Sequence, residues 1–211
     1  MNSAWLAFNW FDIMVLLVLL GGVIHGRKRG ISGELLEVLQ WLLIVVVAAL
    51  LYEPAGNFIS NFSHMSLLPS YLISYLLITF TIKLIFSTIK RMVGEKLAHA
   101  DTFGGMEYYL GMAAGGLRFI CVLIVALAIL NAKYISNAEW LAEKKMQSDN
   151  FGAISFPTLA SLQRAIFKES VSGKFVRTHL KEQLIRPTPS TATVGSPRPT
   201  NRDLDDILGN K

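Results

Sequence analysis

Residues 35–52, LLEVLQWLLIVVVAALLY, and residues 109–132, YLGMAAGGLRFICVLIVALAILNA, carry one charged side chain each. Stretches of about 20 apolar residues match the helix length that crosses a hydrocarbon core about 30 Å thick. Two more runs of the same character, Phe8 to Ile24 and Leu67 to Phe86, join Leu35 to Tyr52 and Tyr109 to Leu130. In lipid, backbone polar groups must pair within their own segment, so such runs are helices. The expected fold is all-α, a polytopic membrane protein with four transmembrane helices in residues 1–132, an amphipathic helical region over 133–186 and a disordered tail over 187–211.

Charge is scarce, 17% of 211 residues, and its placement sets the topology. Arg27, Lys28 and Arg29 fill the first connector and Lys90, Arg91 and Lys96 the third, whereas the second, EPAGNFISNFSHMS, has no Lys or Arg. Short loops rich in Lys and Arg stay cytoplasmic. Connectors one and three are therefore expected inside, with both termini periplasmic. Lys83 falls near the inner end of the third run, where its stem can carry the ammonium to the interface. Trp5, Trp10 and Tyr71 fall near outer ends, where amphipathic rings sit. MNSAWLAFNWFD has no positive leading region, so the first helix is expected to stay in the mature protein.

The formal charge of +5 invites a nucleic-acid reading of HGRKRG. Held between two spans, however, those cations meet anionic headgroups, each gaining about 1 kcal/mol there. Membrane lipid is the expected partner, with no nucleic acid.

Catalytic signals are absent from the pattern. His25, His64, His99 and His179 follow neither HExxH nor HxH spacing, and SGK at Ser172 to Lys174 lacks the first glycine and the hydroxyl of a phosphate loop. No Gly-x-Ser-x-Gly elbow occurs. The lone Cys121 forms no internal disulfide. No enzyme activity, metal or cofactor is expected.

Charges at membrane depth say more, because they face a partner or a wet cavity. Arg118 lies about 10 Å beyond the inner boundary at a helical rise of about 1.5 Å per residue. It either snorkels or pairs with Glu34 or Glu37, which enter the second helix three residues apart and share a face with Trp41. Asp12 belongs to the outer end of the first helix, far from Arg118, where it suits the helix dipole. Gly111 and Gly115 form a smooth face on which another backbone can approach, and Gly21 and Gly22 offer a match on the first helix.

Past Leu130 the character changes. Leu159, Leu162, Ile166, Phe175, Leu180 and Leu184 recur at mostly helical spacing, with Arg164, Lys168, Arg177 and Lys181 between them. The stripe suits a helix on a membrane surface or on a partner, or a short helical pair folding on itself, with Gly173 a local weak point. PTPSTATVGSPRPTNR is too poor in apolar groups to recover its ordering entropy, and DLDDILGNK reads as a frayed end.

Asp12, then Arg29 and Gly30, Glu34 five residues after that arginine, and Trp41 seven further on, followed by Leu110, Gly111, Gly115 and Arg118, form an ordered set. In this the chain resembles the colicin V production protein family (CvpA family) over about residues 8 to 135. It departs from the family pattern at Glu107 and Tyr108, where Asp-Arg is usual, and at Phe119, where glycine is common. The resemblance implies a bacterial inner-membrane protein that supports toxin (bacteriocin) production or export and envelope homeostasis, acting with protein partners in that membrane or as a homo-oligomer. It supplies no catalytic residues. The competing reading is a small transporter or channel subunit with an Arg-Glu polar path.

Overall fold

A computed structural model describes residues 9–98, 104–151 and 158–190. The elements are α1 (Trp10–Ser63), α2 (Leu67–Ala98), a single 3-10 turn (Gly104–Met106), α3 (Glu107–Asn131), α4 (Asn137–Phe151), α5 (Leu159–Arg164) running into a π turn (Ala165–Glu169), α6 (Val171–His179) and a last 3-10 turn (Lys181–Gln183). The only bridge among the described residues outside helices joins Lys133 to Thr188. Among the described residues three helices are long and apolar enough to cross a membrane: Trp10–Ser63, Leu67–Met92 and Gly104–Asn131. The chain is thus an all-α, multi-pass membrane protein.

The first two apolar runs, expected as separate helices, are continuous in α1 except at Gly30, whose φ of 69° and ψ of 172° break the helical geometry. Glycine reaches positive φ without a Cβ penalty. The break turns the chain back on itself. Gly22 lies against Gly115 and Phe119 while Glu37 reaches Arg118, all within one turn or so of α3. A straight helix would hold residues 22 and 37 about 22 Å apart. The limbs before and after Gly30 therefore run antiparallel, with α2 and α3 packed on them.

Capping and packing set the ends. Asn9 accepts from Trp10 N–H, and Asp12 accepts from Asn9 N–H, a capping box that starts α1. The second limb was expected to stop at Tyr52, ahead of Pro54, yet it continues to Ser63. Packing overrides the proline: Gly56 lies under the Tyr71 ring, and Tyr71 Oη donates to Asn57 Oδ1 at 3.0 Å. Tyr71 is accordingly buried, edge-on to Tyr52, rather than placed as an interfacial ring; Trp10 is half exposed, and Trp5 lies outside the described residues.

The bundle is apolar outside, and several polar side chains are buried within its largely apolar core. Leu16, Leu17, Leu50 and Phe80 are exposed, while Glu34, Ser70 and Ser74 are fully buried. Lipid is the solvent such a surface requires.

Residues 158–190 do not form one amphipathic stripe. The helix breaks at Ser170, which caps α6; Ile166, Phe167, Leu184 and Ile185 join the bundle core, and Leu159 and Phe175 stay exposed. Gly173 is a contact point, not a weak one: a Cβ there would fall 2.0 Å from the Ile166 carbonyl oxygen. The region is fastened to the end of the bundle away from Gly30. Asn131 Nδ2 donates to Ile185 O at 2.9 Å, Gln163 Nε2 to Leu130 O and Lys133 O, Asn9 Nδ2 to Ala165 O, and Arg186 N to Tyr52 Oη. Just past Arg186, Thr188 N donates to Ala132 O at 2.8 Å. Residues 191–211, most of the expected tail, lie outside the described residues.

Asp12 is the main polar anchor of this region. Expected as a headgroup-level charge, it is 4% exposed and accepts from Val171 N at 3.1 Å and Ser172 N at 2.9 Å, at the start of α6. A hydrogen bond to a charged acceptor contributes about 1.5–3 kcal/mol. Asp12→Ala should therefore release α6 and speed limited proteolysis within residues 158–190, leaving α1–α3 protected; equal cleavage rates would contradict this anchoring.

Candidate functional site

At the Gly30 end, five charged side chains from three helices meet. Arg29 closes the first limb of α1, and Glu34 and Glu37 follow one turn apart on the second limb. Lys90 comes from α2 and Arg118 from α3. Arg118 Nη1 lies 2.8 Å from Glu34 Oε2 and also pairs with Glu37 Oε2; Arg29 Nη1 is 2.8 Å from Glu37 Oε1 and 3.3 Å from Glu34 Oε1; Lys90 Nζ pairs with Glu37 Oε1. The contact between Arg118 and Glu34 Oε2 is an ion pair without hydrogen-bond alignment, since that oxygen is buried without a hydrogen-bond donor. The Arg118 guanidinium also lies 5.0 Å from the Phe119 ring centroid.

Burial grades the cluster. The Glu34 side chain is fully buried and that of Arg118 is 10% exposed, whereas those of Arg29 and Lys90 are about 40% exposed. Three cations face two carboxylates, a net charge of one positive. His25 Nε2 stands 3.7 Å from Glu34 Oε1 at the cluster's edge. Every carboxylate oxygen here has a cation beside it. The arrangement holds helices together electrostatically, each carboxylate engaged by cations from more than one position in the chain.

The second feature is a backbone contact between the first limb and α3. A Cβ on Gly26 would fall 2.1 Å from Gly111 O, one on Gly115 would fall 2.3 Å from Gly22 O, and one on Gly111 would fall 2.5 Å from Gly26 O. Only glycine permits that approach. Gly30 lies beside Gly111 as well, and its missing side chain leaves room for Glu107, whose Cγ would be 2.7 Å from a Cβ at Gly30. Glu107, where the sequence departs from the usual Asp-Arg pair, thus stands at the bend itself.

Of the residues singled out in the sequence, Arg29, Gly30, Glu34, Glu37, Gly111, Gly115 and Arg118 converge on this end. Trp41 lies one turn further along, its ring 5.6 Å from Lys83 Nζ, so that ammonium rests over an aromatic face. Asp12 stands at the opposite end. Gly22 has the close contacts and Gly21 has none within 4 Å. Sequence reasoning passed over Gly26, although the spacing of four through Gly22, Gly26 and Gly30 was the signal. It also treated Lys90 only as a loop cation.

Among the described residues no group of three His, Cys, Asp or Glu side chains is placed to hold a metal. The matching family model describes colicin V production protein and spans residues 11–148. No curated protein and no solved structure matches the chain.

Proposed function

The chain belongs to the colicin V production protein family, and we propose that it acts as a non-enzymatic inner-membrane component supporting toxin production or export and envelope upkeep, with the five-charge cluster locking the helices into a platform for protein partners. The observation that carries this reading is that Arg118 and Glu34, both buried, face each other inside the bundle, with Glu37 beside them. Charges serving a conduction path must meet water or a moving ion. These meet each other.

In this reading the two limbs of α1 each span the bilayer, giving four spans, with the Gly30 and Lys90 end cytoplasmic and both termini periplasmic. The antiparallel limbs and the excess of cations at that end support it. Single cysteines placed at positions 27, 61, 96 and 140, in a Cys121→Ser background, test the topology with an impermeant thiol reagent in intact cells; Asn61 is exposed, whereas its neighbour Ser60 is buried. Positions 61 and 140 should label and 27 and 96 should not; labelling of 27 and 61 from the same side would overturn the hairpin.

The role is tested by Arg118→Met. A locking residue should lower the amount of protein in the membrane and the toxin export that depends on it, in proportion. A conduction residue should abolish ion or solute flux in proteoliposomes while the protein accumulates normally, and that result would favour the transporter reading instead.

A further inference from the structure

At the opposite end of the bundle, α4, α5, the π turn, α6 and the segment after α3 border a half-open cavity of about 70 Å³, lined by Lys133, Trp140, Gln163, Arg164, Lys168 and Arg177 among others. Among the described residues no aspartate or glutamate lines it. The ion pairs of the described residues leave out Lys133, Arg164 and Lys168, all of which are half-buried. Four cationic side chains are therefore gathered around one small space without a carboxylate in its wall.

The neighbours of these cations fix their positions. The Arg164 guanidinium lies 4.2 Å from the Trp140 ring centroid, with Lys144 Nζ 5.3 Å from the same ring, and the Arg177 guanidinium lies 5.9 Å from the Phe167 ring. A guanidinium whose face rests on a ring keeps its N–H fork in its own plane, the geometry that suits oxyanions. Gln163, held by Leu130 O and Lys133 O, closes the floor. Burial, with Arg164 and Arg177 adding to it, pulls the Lys168 ammonium below the usual lysine range. An anion in the cavity would relieve that repulsion.

We propose that this cavity binds a phosphate group. Several cations converging on a space of this size call for a multiply charged oxyanion with more acceptors than a carboxylate provides, and arginine pairs with phosphate through two parallel N–H bonds. The cavity sits at the level where α3 ends, so either a phospholipid headgroup or a free phosphate could supply the group. The site is independent of the charge cluster at the Gly30 end and of the role given to it.

Full-length protein in dodecyl maltoside, a phosphate-free detergent, tests this by calorimetric titration. One arm uses inorganic phosphate; the other uses short-chain phosphatidylglycerol against diacylglycerol of the same chain length. Saturable binding of inorganic phosphate assigns a free phosphate. Binding of phosphatidylglycerol alone, with neither diacylglycerol nor inorganic phosphate bound, assigns a headgroup. In either case Arg164→Gln/Lys168→Gln should weaken binding by about ten-fold or more, as loss of charged hydrogen bonds does. Lys144→Gln, outside the cavity wall, should leave it unchanged. If the double variant fails to accumulate, Lys168→Met alone reads the same site without removing a ring contact. Absence of binding in both arms, or binding indifferent to these substitutions, overturns the proposal.

Discussion

Glu34→Ala is expected to remove most of the protein from the membrane fraction. Glu34 is fully buried and pairs with Arg118, whose guanidinium keeps its charge in any environment. Taking away one partner of a buried ion pair costs about 3–5 kcal/mol, because the other charge stays behind uncompensated. Here it would leave three cations around Glu37 alone. The companion variant separates charge from packing: Glu34→Ala/Arg118→Met removes the stranded cation and should regain a substantial part of the lost level. Lys90→Ala marks the other extreme. Its side chain is about 40% exposed, and pairs nearer solvent contribute about 0–1 kcal/mol, so its effect should be the smaller one. Quantitative immunoblots of washed membranes, with unfolding midpoints in detergent, measure all three. If Lys90→Ala matched Glu34→Ala, or if the double variant were worse than the single one, burial would not be what gives the pair its weight.

The residues that were readable from sequence and those that were not differ by a physical criterion. Glu34, Glu37 and Arg118 stood out because ionised groups inside apolar runs are too unfavourable to be incidental. The choice between pairing and snorkelling needed three-dimensional information, since it depends on whether α3 lies beside the second limb of α1. Gly26 escaped notice because it sits in VIHGRKRG, where the cations mark a turn, and the helical register that carries it onto α3 runs through that apparent connector as far as Gly30.

Helix ends were less legible than helix centres. The Glu53-Pro54 pair signals a stop by local chemistry, and the close approach of Gly56 to Tyr71 outweighs it. Beyond α3, the apolar spacing from Leu159 to Leu184 left open one continuous face or a short helical pair folding on itself. The extended backbone of Ser170 splits that face, and the N–H groups freed at that break are those that Asp12 accepts. A carboxylate 159 residues away in sequence completes the cap. No local pattern contains that information.

Gly26→Leu is expected to be the most damaging change to the packing of α3, and its near neighbour Gly21→Leu nearly harmless. The two positions look alike in sequence, both glycines on the first limb. At Gly26 an added Cβ meets Gly111 O at 2.1 Å and Gly115 Cα at 2.9 Å, which are backbone atoms of a facing helix. Neither can rotate away, so the helices must separate. Separation weakens the van der Waals contact that drives helix association in lipid. It also draws Arg118 away from Glu34 and Glu37, coupling the packing defect to the charge cluster. Overpacking alone costs about 1–3 kcal/mol, and the loss should exceed that range because the ion pairs are strained with it. At Gly21 nothing lies within 4 Å of the new Cβ, and replacing glycine inside a helix gains up to about 1 kcal/mol of helix propensity. Unfolding midpoints of the two variants should move in opposite directions. A cysteine pair at positions 23 and 116, where a Cβ on Gly116 would lie 3.5 Å from Val23 Cγ2, in a Cys121→Ser background, should lose its disulfide yield in Gly26→Leu and keep it in Gly21→Leu. Similar behaviour of the two variants would mean that the first limb and α3 do not meet through Gly26.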